Sequence, residues 1–279
     1  DKIERDAPQQ MTETDKIICR DKALDYRVLN LASDTFNENE TSYYHKSIGG
    51  YHAAKLRRYQ EMIGAHIEPE MRKTAQAVAE AGGDMTKVNG DSIFPVLNML
   101  NTKYFIFPLQ GGQTVPVQNP YAYGNAWFVD KVTYANNANE EIDEVGKLNL
   151  RHEAVADAKF KEQLGQSVPQ DDTSMVKMIQ YKPNNLTYEV KSSKGGVIVF
   201  SEIYYPGWTA TVDGQPAELG RVNYILRALN VKPGSHKVVL DFHPSSLKKT
   251  ETVAYIGYVV LLLLLVVGIG VEWKKKKAE

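Results

Sequence analysis

The chain has a single cysteine, Cys19, in 279 residues. That excludes an internal disulfide framework and any cysteine-rich zinc site. Histidine is sparse, at six residues. His45 and His52 stand seven apart with no acidic partner in register, and no HExxH spacing occurs, so no metal site is expected. No Gly-x-Ser-x-Gly is present, which removes the nucleophile elbow of the α/β-hydrolases. The 33 basic and 34 acidic residues leave a formal net charge of −1. No basic field is there to draw in nucleic acid. The carboxylate pair Asp171-Asp172 falls in a polar stretch where nothing separates two pKa values, so it reads as solvated. No cofactor and no catalytic residue are expected in this chain.

Charge and proline are also missing from the run Val253–Val271, VAYIGYVVLLLLLVVGIGV. At about 1.5 Å rise per residue such a helix spans the hydrocarbon core of a bilayer. Trp273 and the four lysines Lys274–Lys277 follow, an aromatic and then basic exit typical of a cytoplasmic boundary. A buried core helix would not keep its whole circumference apolar and then end in four lysines. Lys248 and Lys249 precede the span, so the lysine excess after it favours a cytoplasmic C-terminus. Residues 1 to about 250 then lie outside the cytoplasm. The N-terminus, DKIERDAPQQ, has no apolar core segment and is no signal peptide. The expectation is therefore that further membrane segments precede residue 1 in a polytopic protein.

Before the span, the pattern predicts an α+β protein of two lobes. Residues 1–20 read as a linker. Residues 21–165 read as a mixed α/β lobe: a strand at Tyr26–Leu31, helices at Tyr51–Ile63 (closed by Gly64) and Pro69–Ala81, and a short buried helix at Phe94–Leu100. A strand at Lys103–Phe107, a loop over Gly111–Asn119, a strand at Ala126–Tyr134, a helix at Glu140–Leu148 and a strand at Glu153–Ala156 complete it. A polar stretch, 165–174, reads as linker. Residues 174–245 then carry strand-like segments at about ten-residue spacing, separated by Pro183-Asn184-Asn185, Lys194-Gly195-Gly196, Asp213-Gly214 and Pro233-Gly234. That spacing predicts an antiparallel β-sandwich lobe. Asp213-Gly214 is the clearest hairpin signal. The span at 253–271 and a basic tail at 272–279 end the chain.

Two segments are dense in functional side chains. Thr41–Gln60 holds Tyr44, His45, Lys46, His52, Lys55, Arg58 and Tyr59. On the predicted helix His52, Lys55 and Tyr59 share a stripe, and the preceding Gly49-Gly50 pair would leave free N–H groups at the helix start. A helix N-terminus among cations suits a phosphate or an acidic sugar. The same pattern fits a solvated basic face whose cations pair with Glu61 and Asp34. In the second segment, Tyr204–Trp208, Tyr205 and Trp208 offer rings on which a sugar would stack. A packed corner plugged by Trp208 is the preferred reading of the same residues.

TSYYHKSIGGYHAAKLRRYQ at 41–60, VLNMLNTKYFI at 96–106, NPYAYGNAWFV at 119–129 and YYPGWTATVDG at 204–214 resemble the C-terminal part of the YfhO-like bacterial membrane proteins, in their Bacteroidetes form. The resemblance runs from about Asp21 to the span. It implies a polytopic protein with a large extracytoplasmic region before its last helix, in the bacterial inner membrane. The family is similar to the GT-C glycosyltransferases, which move sugar from a lipid-phosphate carrier to a cell-envelope acceptor. In such enzymes the catalytic carboxylate lies in an early loop of the membrane domain, so none is carried over here. The expected partners are the membrane, the upstream transmembrane domain, and a lipid-linked sugar or an envelope polysaccharide. The other reading is a carbohydrate-binding or envelope-scaffolding domain without transferase activity.

Overall fold

The computed structural model describes residues 10–277. Of the expected linker, residues 1–9 lie outside the described part, as do Ala278 and Glu279 of the tail. The next residues are not linker but helix α1, Glu13–Ile18, started by a capping box between Thr12 and Asp15. Strand β1, Arg27–Asn30, follows, then the short helix α2, Thr41–Tyr44.

The helix expected over Tyr51–Ile63 begins only at Arg57. Helix α3 is Arg57–Met62, with no side-chain cap at Leu56. Nor does it stop at Gly64. A π-helical turn, Ile63–Ile67, carries it into α4, Glu68–Glu80. Pro69 is the physical reason for the wide turn. It has no N–H to donate and its ring crowds the carbonyl four residues back, so the backbone opens to an i→i−5 bond from Glu68 N to Ile63 O.

Helices α5, Gly90–Ile93, and α6, Pro95–Met99, lead to β2, Thr102–Pro108. The stretch expected to be a loop after it contains a strand, β3, Thr114–Gln118. Pro116 hides it from pattern reading, and β3 is an edge strand, where a missing donor is tolerated. The strand expected over Ala126–Tyr134 is broken at Asp130 into β4, Ala126–Val129, and β5, Lys131–Ala135, which join different sheets. Helix α7, Ala138–Val145, β6, Glu153–Asp157, and the short helix α8, Lys161–Leu164, complete this half. Strand β1 is parallel to β2, and β5 to β6.

The second half is built of β7 (Met175–Lys182), β8 (Asn185–Ser192), β9 (Gly196–Ile203), β10 (Trp208–Val212), β11 (Gln215–Ala217), β12 (Gly220–Val222), β13 (Leu226–Val231) and β14 (Gly234–Phe242). One antiparallel sheet runs β11-β10-β14-β8-β7 and the other β12-β13-β9-β4. Asp213 and Gly214 both have positive φ, the geometry of the two-residue hairpin they form. Strand β4 comes from before residue 165 and pairs with β9, so the second sheet draws on both halves.

Why β9 reads as an unbroken apolar run follows from its place. Ile198 and Phe200 face Tyr188, Leu186 and Leu240 of the partner sheet. Val197 and Val199 face the other way, into a core shared with Leu29, Met62, Phe94, Phe105 and Leu150. A strand covered on both faces has no polar side to alternate with. Helix α9, Ser245–Lys276, leaves the end of β14, and its apolar part, Thr250–Val271, is long enough to cross a membrane.

Glu70 is a buried titratable group with a consequence for stability. It accepts the N–H groups of Val96 at 3.0 Å and Leu97 at 2.9 Å, the free donors at the start of α6. Burial nevertheless pushes its carboxyl from 4.5 up to about 8. Between those values the unfolded chain has lost the proton and the folded chain keeps it, so stability falls as pH rises. The fall should total on the order of 5 kcal/mol across the window and level off above it. Thermal unfolding at several pH values, with Glu70→Gln as the flat control, checks this. A melting temperature that rises over the window in the parent would contradict it.

Candidate functional site

The seven residues singled out in Tyr44–Tyr59 do not share one helix face. His45 is buried, with Nε2 at 2.8 Å from Asp15 Oδ1. Asp15 stays below its usual range because bonds from Thr12 and His45 outweigh burial. The Lys46 ammonium bonds to Asp25 and lies 3.2 Å from the Tyr181 ring centre. Tyr44 lines a cleft with Asp15, Asn30 and Thr41. These three residues thus face α1 and the segment before β1. His52 is exposed, and its Nδ1 accepts the Ala54 N–H at 3.0 Å. Lys55 sits 5.3 Å from the Phe36 ring centre. Neither is helical, so the stripe expected of His52, Lys55 and Tyr59 is not formed.

Arg58 and Tyr59 are on α3 and enter a different place. With Leu56 and Arg57 they wall a cleft of about 260 Å³ whose other side is Ile203, Tyr204, Tyr205, Pro206, Arg221, Tyr224 and Ile225. A second hollow of about 250 Å³, lined by Arg27, Ser47, Ile48 and Gly49, shares Leu56, Tyr59 and Ile203 with it. The fold therefore joins Arg58 and Tyr59 to Tyr205, a neighbourhood with no trace in sequence spacing. Trp208 is half-buried. Its ring lies 3.8 Å from the Arg227 guanidinium and 5.3 Å from the Phe242 ring.

The cleft is held by charge. Glu141 of α7 is fully buried and takes Arg221 Nη2 at 2.7 Å and Nε at 3.4 Å, with Arg58 Nη1 also at 3.4 Å. Arg58 in turn lies 4.3 Å from the Tyr224 ring centre, and the Tyr224 hydroxyl bonds to Glu61. Arg57 Nε reaches Glu61 Oε1 at 2.9 Å, yet the Arg57 side chain remains 92% exposed. Hydrogen bonds from Tyr224 and Arg57 hold Glu61 below the usual carboxylate range. The Tyr59 hydroxyl donates to Ile48 O at 2.6 Å, and burial pushes its pKa up to about 12, so it stays a neutral donor.

Backbone strain marks the same place. Asn223 and Tyr224 have φ of 48° and 69°, the left-handed region that a tyrosine rarely adopts. Asn223 pays for the turn by pairing with Val155 twice: its N–H donates to Val155 O at 2.7 Å, and its Oδ1 accepts the Val155 N–H at 3.0 Å. The result aims Tyr224 between Arg58 and Glu61. Strain of this kind, about 1–3 kcal/mol per residue, persists where surroundings over-determine it and clusters at functional sites.

Chemically the cleft offers apolar walls, phenol hydroxyls and guanidinium forks. Such forks match phosphate and carboxylate oxygens in pairs. Another hollow, about 730 Å³ between α4 and β3, is lined mostly by apolar and small residues, with Gln118 and with Asp84 as its charged member, the wrong chemistry for an anion. Sequence reading missed Arg57, Tyr204, Arg221 and Tyr224. For Arg221 no local signal existed, since its partner Glu141 is 80 positions away.

The family model described as "Bacterial membrane protein YfhO" matches residues 97–253, more than half of the chain. No curated protein and no solved structure matches it.

Proposed function

We propose, for a chain that belongs to the YfhO family of bacterial membrane proteins, an extracytoplasmic, non-catalytic module of a polytopic GT-C-type glycosyltransferase. In this reading the upstream membrane domain moves sugar from a lipid-phosphate carrier to an envelope acceptor. The module stands over it, and its arginine- and tyrosine-lined cleft holds the phosphate of the carrier. The observation that carries the reading is the position of Arg57, Arg58 and Tyr205 on one cleft beside the segment that leads into α9. Hydrogen bonds from guanidinium to an anion contribute about 1.5–3 kcal/mol each, so two acting together account for about 3–6 kcal/mol, the millimolar to tens-of-micromolar range, and the apolar walls would add to it. His52 and Lys55 stay in the proposal as outer polar groups, Lys55 the cation, that the carrier's sugar or phosphate meets on approach. Tyr44, His45 and Lys46 belong to it as the support of the loop before α3.

The second reading, a carbohydrate-binding module, is favoured by a separate polar cleft of about 460 Å³. There Tyr123, Trp127 and Phe128 meet Asp130, Arg151 and Gln170.

Binding of a polyprenyl phosphate to the chain in detergent, with the dephosphorylated polyprenol and an envelope oligosaccharide alongside, tests both. The phosphate should bind at least tenfold tighter than the alcohol, and Arg57→Ala with Arg58→Ala should remove that margin. Equal affinity for phosphate and alcohol ends the first reading. Oligosaccharide binding that survives the double variant supports the second.

A further inference from the structure

The loop Tyr204–Trp208 packs against the last residues before the membrane helix. A Cβ on Gly207, whose φ is 102°, would come within 3.0 Å of the Pro244 side chain and 3.1 Å of Phe242, so glycine suits both the backbone and the close approach of the two segments. His243 N donates to Gly207 O at 2.8 Å, and the Tyr205 and Phe242 rings are 6.2 Å apart. Helix α9 starts at Ser245 and its apolar part at Thr250. The five steps between them rise about 8 Å. A headgroup layer is about as thick, since the polar regions add roughly 10–15 Å in total to a core of about 30 Å. With Thr250 at the edge of the hydrocarbon, the loop against Pro244 stands at the outer boundary of the headgroup layer, about 5–8 Å thick on each side.

What it exposes there suits that level. Tyr205 is 47% exposed, and Leu56, across the mouth of the cleft, is 40% exposed. Arg57 beside them is almost fully open to solvent. Tyrosine with an apolar neighbour and a cation is the mixture that partitions into a phospholipid interface. We propose that Tyr205 and Pro206, with Leu56, form an interfacial anchor that seats the domain in the headgroup layer of the bilayer its own helix crosses. The occupant is phospholipid, and the anchor does not require the cleft to hold any ligand.

The strand after the loop supplies an internal reference. Gly214, at the tip of the β10–β11 hairpin, lies six residues beyond Trp208, on the order of 20 Å along an extended chain. Nitroxides are attached to Tyr205→Cys, Pro206→Cys and Gly214→Cys in a Cys19→Ser chain reconstituted into phosphatidylcholine vesicles. Collisions with oxygen and with a water-soluble nickel chelate are then compared. At 205 or 206 oxygen should dominate severalfold over its ratio at 214. High nickel access at both 205 and 206, equal to that at 214, places the loop in water and overturns the proposal. Low access to both reagents places it against protein, a second copy of the chain, and overturns it as well. Two adjacent label positions guard against one that disturbs the fold, which unchanged circular dichroism monitors.

Discussion

Glu141→Ala should destabilise the folded part before α9 by about 3–5 kcal/mol, the cost of stranding a buried charge. Glu141 has no exposed surface, and its carboxylate is the main partner of Arg221, whose side chain is 7% exposed. Once it is gone, the carboxylate left to Arg221 among the described residues is Asp157, with Oδ2 at 3.6 Å, and Arg58 loses its contact with Glu141. In a domain of more than 150 residues the loss corresponds to a fall in melting temperature on the order of 10 °C. Thermal unfolding in mild detergent measures it. Glu141→Leu with Arg221→Met should recover much of the loss, because replacing both partners by apolar groups strands no charge. A single variant that melts with the parent would show that the pair does not hold the cleft. The effect would also reach the cleft, since this one carboxylate of α7 bonds side chains from both β12 and α3.

That pair also shows where sequence reading runs out. The sandwich strands were legible because their turns are local: Asp213-Gly214 and Pro233-Gly234 punctuate runs of β-branched residues at the positions where the strands end. The membrane helix was legible for the same reason, as a property of one unbroken run. Strand β3 was not, because Pro116 argues against a strand unless one knows that the strand lies on an edge. The helix expected from Tyr51 failed because a helical spacing of His52, Lys55 and Tyr59 arises in any cation-rich stretch. Whether Tyr51–Leu56 coils depends on contacts with residues upstream. Of the candidate site, Arg58, Tyr59 and Tyr205 were visible as residue types. Their meeting was not, because it depends on α3 crossing toward the β9–β10 loop, a contact between positions about 150 residues apart.

Gly49→Ala should be nearly as damaging as loss of Glu141, and for a reason opposite to the one its sequence suggests. A glycine pair before a helix reads as a bend. In the structure the helix starts eight residues after Gly49, and what Gly49 supplies is room. A Cβ there would stand 1.8 Å from the carbonyl oxygen of Thr35 and 2.5 Å from its Cγ2. The oxygen cannot retreat. It accepts the Gly50 N–H at 2.7 Å, while the Thr35 hydroxyl donates to Asn30 O at 2.6 Å. Relief must come from the segment 47–51. It carries the fully buried Ile48, whose carbonyl takes the Tyr59 hydroxyl at the edge of the cleft. Overpacking of this kind costs about 3 kcal/mol, and here it should also loosen Tyr59. Gly64→Ala is the contrasting change. Gly64 lies inside the π turn, with nothing within 4 Å of a Cβ. Alanine there should raise stability by roughly 0.5–1 kcal/mol, through the lower entropy of the unfolded chain. Were Gly64 a left-handed helix stop, alanine would instead lower it. Thermal unfolding of both variants, with hydrogen exchange over residues 46–51, separates the cases. Gly49→Ala should melt well below the parent with faster exchange in that segment, and Gly64→Ala at or above it. A Gly49→Ala chain that melts with the parent would mean that the 47–51 segment yields freely and does not brace the cleft.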